Sequence, residues 1–283
     1  MNRFERCIGM LIFLPALMLT GCGSSNKTEE VHSFAVWEKM DSASYTFSDG
    51  VTAEKWKNEK EDVRQYLYRL QDGTDLLKLD VALSPEEEIG SELSGFDGFT
   101  DQAKEKVRVW YQKQGEVYDL EQELENAYYD YQECNKNGER FTCHEVSQDV
   151  TESAEMLDYM VILTAVTTPK KIHFDGGTTC NYLTAVFDRK TGENIDIWSL
   201  FAKSEKEVKE ELAEICSVED TTVSEEDLMP VMDQSQILIF QDYLEVWFPY
   251  GTWERQEFDK GFGFEYAKIE KLLCDWAVPV KKE

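Results

Sequence analysis

The sequence predicts an α+β protein with a mainly antiparallel sheet packed with helices, and three patterns predict it. Short apolar/polar alternations come in pairs joined by tight turns, as hairpins do. Longer stretches repeat their apolar residues at helical spacing, and one segment opens with a capping box. Strands in hairpins and helices in runs also argue against a regular β-α-β alternation.

At the N-terminus, Arg3 and Arg6 precede the apolar stretch Ile8 to Leu19. That length suits a signal-peptide core and falls short of the roughly 20 residues a membrane-spanning helix needs. Leu19-Thr20-Gly21-Cys22 follows at once. It resembles the lipobox of bacterial lipoproteins, where small residues precede a cysteine whose thiol takes the diacylglycerol. The expectation is a cleaved signal peptide over 1–21, lipidation of Cys22, a polar tether over 22–30, and anchoring on the extracytoplasmic face of the cell membrane. Two acyl chains suffice for stable anchoring where one does not. The alternative is an ordinary secretory leader with a chance cysteine.

The remaining chain divides by pattern into a β-rich region over 31–100 and a mixed region over 101–283. In the first, Tyr66, Tyr68 and Leu70 alternate, Asp72-Gly73 supplies a turn, and Leu77, Leu79, Val81 and Leu83 alternate after it. From Thr100 to about Cys134 the spacing is helical, through Ala103, Val107, Trp110 and Tyr111, then Leu120, Leu124, Ala127 and Tyr128. Gln114-Gly115 divides this stretch into two helices. A hairpin over 141–150 and 156–168 follows, and Val161 to Val166 is apolar on both faces, as in a central strand. Strands near 179–188, 235–241 and 243–249 are expected to complete the same sheet. Ser204-x-x-Glu207 opens a helix to about Ile215, Ser224 opens a shorter one, and 265–276 reads as a last helix.

Composition bounds the function. At 42% hydrophobic and 12% aromatic residues the chain is far from the disordered class. It carries 29 Lys+Arg against 57 Asp+Glu, a net charge of −28 that becomes −29 once Arg3, Glu5 and Arg6 leave with the leader. Such an excess repels nucleic acid and favours cationic partners, although an acidic surface also serves solubility alone. Five cysteines remain beside Cys7 and Cys22. Cys134 and Cys143 are the best disulfide candidates, because the turn signal Asn137-Gly138 between them would bring the sulfurs together. Two buried thiols are the alternative.

No catalytic motif stands out. His32, His144 and His173 are scattered, and no Gly-x-Ser-x-Gly, His-Glu-x-x-His, Cys-x-x-Cys, phosphate loop or calcium loop occurs. No catalytic residue, metal ligand or cofactor is therefore expected. The densest ligand-like surface is Trp247-Phe248-Pro249-Tyr250-Gly251-Thr252-Trp253. Alternation sends Trp247 and Phe248 to opposite faces of the strand, and Pro249 and Gly251 break the ladder and would expose Tyr250 and Trp253. Trp247, Tyr250 and Trp253 are the candidate ligand residues. Aromatic rings stack on sugars and anchor protein interfaces. The same rings would serve equally to cap the core.

Three blocks carry a resemblance. They are Gly176-Gly177 before a strand, Phe187-Asp188-Arg189-Lys190-Thr191-Gly192 with Ile197-Trp198-Ser199-Leu200-Phe201, and Leu244-Glu245-Val246-Trp247-Phe248-Pro249-Tyr250 with Leu272-Leu273 downstream. Their order resembles the extracytoplasmic domain of RsiV-type anti-sigma factors, which bind lysozyme. The same module accompanies PdaC-type peptidoglycan deacetylases. The resemblance covers roughly 115–275. It implies an RsiV-like α+β domain that binds an extracellular protein, or a cell-wall glycan as an accessory module, without chemistry of its own. Thr178-Thr179-Cys180 stands where relatives often carry a histidine, so no role of that histidine transfers. Neither a sigma-holding segment nor a deacetylase domain is expected in this chain.

Overall fold

A computed structural model describes residues 36–59, 64–81, 98–114, 117–155, 158–170, 177–254, 256 and 258–278. Cys22, the leader, the tether, His32 and His173 lie outside the described residues. Eight strands form one sheet in chain order: β1 (Trp37–Thr46), β2 (Thr52–Asn58), β3 (Gln65–Leu70), β4 (Asp75–Val81), β5 (His144–Glu155), β6 (Tyr159–Pro169), β7 (Thr178–Asp188) and β8 (Asn194–Ile195). Every pairing is antiparallel except β4 with β5. Two helices, α1 (Asp101–Gln114) and α2 (Leu120–Asn137), lie between those two strands and supply the crossover that a parallel pair requires. The α+β class thus holds, with one parallel junction in an otherwise antiparallel sheet.

Each helix covers its own part of one sheet face. Leu124, Ala127 and Tyr128 of α2 pack with Leu70, Leu77 and Leu79, while Ala103, Val107 and Tyr111 of α1 pack with Met160, Ile162 and Phe187. The central strand β6 is buried on both faces, because Tyr159 and Val161 enter a second core on the far side. The hairpin expected around Asp72-Gly73 forms with Tyr68 opposite Leu77, and Gly73 takes φ 91°. Tyr131 donates from α2 to Asp72 at 2.7 Å, tying that turn to the helix.

The turn after β7 docks on the start of α1. Gly192 has φ 70°, and a Cβ there would sit 2.2 Å from the Ala103 carbonyl oxygen. Glycine is required twice over, by conformation and by close approach.

Residues 235–249 depart from the expected arrangement. Strands β9 (Ile237–Ile239) and β10 (Tyr243–Phe248) form a separate three-stranded sheet with β11 (Lys260–Glu265), rather than completing the first. The join is made by side chains: Ser153 donates to the Ile239 carbonyl at 2.6 Å and Thr184 to that of Ile237 at 2.8 Å. Helices α3 (Glu205–Glu219) and α4 (Glu225–Leu228), both with full capping boxes, pack on its inner face through Val208, Leu212 and Leu228. The expected last helix over 265–276 is another correction. It is one turn, α5 (Tyr266–Ile269), followed by 3-10 turns, because Leu273 bridges to Phe201 and Cys274 donates its N–H to Leu200 at 2.8 Å. Pairing with a remote loop replaces the helical bonds. No described helix is long and apolar enough to cross a membrane.

Candidate functional site

Alternation along β10 sends Leu244, Val246 and Phe248 inward and Tyr243, Glu245 and Trp247 to the opposite face. The three aromatics singled out by the sequence therefore part company. Trp247 faces β7, donating its indole N–H to the Cys180 carbonyl at 2.7 Å with the Tyr182 ring edge-on at 5.5 Å. Trp253 lies on the core side, edge-on to Phe248 at 5.4 Å. Tyr250 sits at the mouth of the loop after β10, half-buried, with the Lys170 ammonium 4.7 Å from its ring. That ammonium also lies 5.1 Å from the ring of Phe258, which is 65% exposed. Sequence reading missed Phe258, which follows the loop rather than the strand.

Hydrogen bonds tie down the described residues of this loop. Asp259 accepts from the Tyr250 N–H at 2.6 Å, the Thr179 hydroxyl at 2.8 Å and the Cys180 N–H at 3.3 Å. Gln256, buried, donates to the Phe248 carbonyl and accepts from the Thr252 N–H. Fixing a loop in advance lowers the ordering cost of binding through it.

A second surface feature is acidic. Between α3 and α4 runs a groove of about 600 Å³ lined by Glu207, Glu210, Glu211, Glu214, Glu225, Glu226 and Met229. Some of these charges are balanced. Lys203 pairs with Glu211, Lys206 lies 3.6 Å from Glu210, and Glu207 is the capping-box partner of Ser204, whose hydrogen bonds hold its pKa low. Among the described residues, Glu214, Glu225 and Glu226 have no cationic neighbour within ion-pair distance. The groove is legible only in part, since Ser204 and Ser224 mark the helix starts and tertiary packing brings their acidic turns together.

His144 meets Asp130 at 3.1 Å in a small cavity under α2 that Glu123, Asn126, Tyr129 and Lys170 also line. Burial pushes the imidazole pKa down and outweighs the opposing pull of Asp130. Among the described residues no group of three or more His, Cys, Asp and Glu is arranged to hold a metal.

Cys134 and Cys143 are both free thiols. The intervening Asn137-Gly138 caps a helix instead of turning a hairpin. Helix α2 continues to Asn137, and Gly138 at φ 70° ends it while the Glu139 N–H bonds back to the Cys134 carbonyl at 2.8 Å. Cys134 points into the interior, and burial pushes the Cys143 thiol up to about 12.

No protein-family model and no curated protein matches the chain. Among solved structures it is similar to a DUF3298 family protein from Pseudomonas aeruginosa PAO1, with 10% identity over 87% of this chain and 98% of that one and a TM-score of 0.38. It is also similar to a DUF3298 family member from Bacteroides fragilis NCTC 9343, with 9% identity over 86% and 95% of the two chains and a TM-score of 0.36.

Proposed function

We propose that this protein is an exported lipoprotein, anchored through Cys22, whose α+β domain binds a cationic extracellular protein and performs no chemistry. The observation that carries the binding half is the groove between α3 and α4, where among the described residues Glu214, Glu225 and Glu226 have no cationic neighbour within ion-pair distance, on a chain of net charge −28. Such a surface draws a basic protein in by long-range attraction and raises its on-rate at low salt. The RsiV-like blocks of the sequence make a lysozyme-like factor the first partner to try.

The test is a calorimetric titration with lysozyme at low and moderate salt, using the wild type and a Glu214→Gln/Glu225→Gln/Glu226→Gln variant. Saturable heat that weakens with salt and in the variant supports the reading. No heat at any ratio removes lysozyme, and equal heat from the variant removes the groove. For the anchoring half, labelled palmitate should enter the wild type and not Cys22→Ala.

A cell-wall glycan is the second reading, supported by the half-buried Tyr250 and the exposed Phe258 that flank the Lys170 ammonium after β10. Retention on purified wall that survives high salt and is lost in Tyr250→Ala would favour it over the charged groove.

A further inference from the structure

The face of the second sheet that carries Trp247 toward β7 also holds a carboxylate with no ion-pair partner among the described residues. Glu245 stands between Tyr243 and Trp247 on β10, with the buried Leu238 opposite it on β9. On the other side β11 offers Gly263 and Gly261, both exposed. A Cβ at Gly261 would meet the Glu245 carboxylate at 2.1 Å and the Trp247 ring at 3.0 Å, so both side chains lean across bare backbone. Tyr182 of β7 closes the far wall, edge-on to Trp247. Phe240 stacks on Tyr243 at 4.6 Å and fixes that ring.

Glu245 is half-buried, yet among the described residues no hydrogen bond or ion pair reaches its carboxylate, and only burial acts on it, pushing its pKa up. The one cation of β11, Lys260, is taken by Asp220. Partly buried carboxylates normally find a donor or a counter-ion. Tyr182 and Tyr243 add no positive charge; burial chiefly raises both of their pKa values, and the nearby Glu245 adds to the rise.

We propose that this crevice binds an alkylammonium group, with Glu245 as counter-ion and the rings of Tyr182, Tyr243 and Trp247 around the cation. Aromatic rings attract ammonium through their negative faces, and clusters of them are a recognised way to hold such a head group. Gly261 is part of the site, because a side chain there would occupy the carboxylate's position. The crevice is separate from the groove between α3 and α4, so it stands or falls independently of the partner proposed above.

The test uses choline and Nα-acetyl-lysine methylamide as free cations and a lysine-rich peptide as a polypeptide source, each against matched sodium chloride. Binding is read by saturation-transfer NMR and calorimetry. Choline should bind, and Glu245→Gln should weaken it at least about tenfold while leaving the thermal midpoint unchanged or higher, since an uncompensated carboxylate is removed. Tyr182→Leu, which keeps the carboxylate, should weaken it as well. Binding of the peptide alone, lost in Glu245→Gln, would uphold the site and assign its source to a protein. Absence of binding by all three probes, or equal binding by Glu245→Gln, would overturn the proposal. A calcium ion binding in their place would overturn it too.

Discussion

Replacing Gly192 by alanine separates the two demands the fold makes at that residue. Its φ of 70° costs an L-residue about 1–2 kcal/mol. The new methyl would also lie 2.2 Å from the Ala103 oxygen and 2.6 Å from its carbonyl carbon and Cα, all backbone atoms at the first turn of α1. Helix and turn must move apart, and overpacking of that kind costs about 1–3 kcal/mol more. Gly138 is the internal control, because it has the same φ of 70° and nothing within 4 Å of its would-be Cβ. Gly138→Ala should therefore lose about 1–2 kcal/mol and Gly192→Ala about 2–5 kcal/mol, the excess measuring how tightly the β7–β8 turn docks on α1. Urea unfolding with an unchanged m-value reads both numbers directly. Equal losses in the two variants would refute the docking argument and leave Gly192 as a turn residue only.

Other outcomes follow from the charges and thiols. Lys260 and the neighbouring Thr222 hold Asp220 down to about 2, so its contribution is complete above the ordinary carboxylate range and is lost as pH falls toward 2. Asp220→Asn should flatten the acid limb of the stability curve. His144, its pKa lowered by burial, is neutral in the folded state, so stability is complete above about pH 6.5 and erodes as pH drops below it. A thermal midpoint that falls between pH 7.5 and pH 5 by the same amount in His144→Gln would contradict that. Burial pushes the Cys143 and Cys216 thiols up to about 12. Iodoacetamide at pH 8 should spare both in the native protein and label both in urea, as mass spectrometry of the peptides will show.

Much of the fold is legible where the signal is local. The Asp72-Gly73 hairpin, the break near Gln114 and the helix starts at Ser204 and Ser224 rest on contacts within a few residues, and the doubly buried stretch from Val161 shows in its unbroken apolar run. Asn137-Gly138 shows the limit of such signals. The pair suits both a hairpin turn and a helix end, and the apolar stripe of α2 packing on β3 and β4 selects the helix. The candidate site was legible as residue types alone. Trp247, Tyr250 and Trp253 are close in sequence, yet strand alternation and the loop after Phe248 send them to three different surroundings.

The amino-acid sequence by itself determined the leader-like N-terminus, the acidic balance, the mixed class and the starts of several elements, because each is written in neighbouring residues. Only the tertiary structure decided that β4 runs parallel to β5, that β9 and β10 leave the main sheet to pair with β11, and that Glu245 lies among Tyr243, Trp247 and Tyr182 with no ion-pair partner among the described residues. Those outcomes depend on which remote strands meet, and a strand's own alternation says which residues share a face without saying what that face will meet.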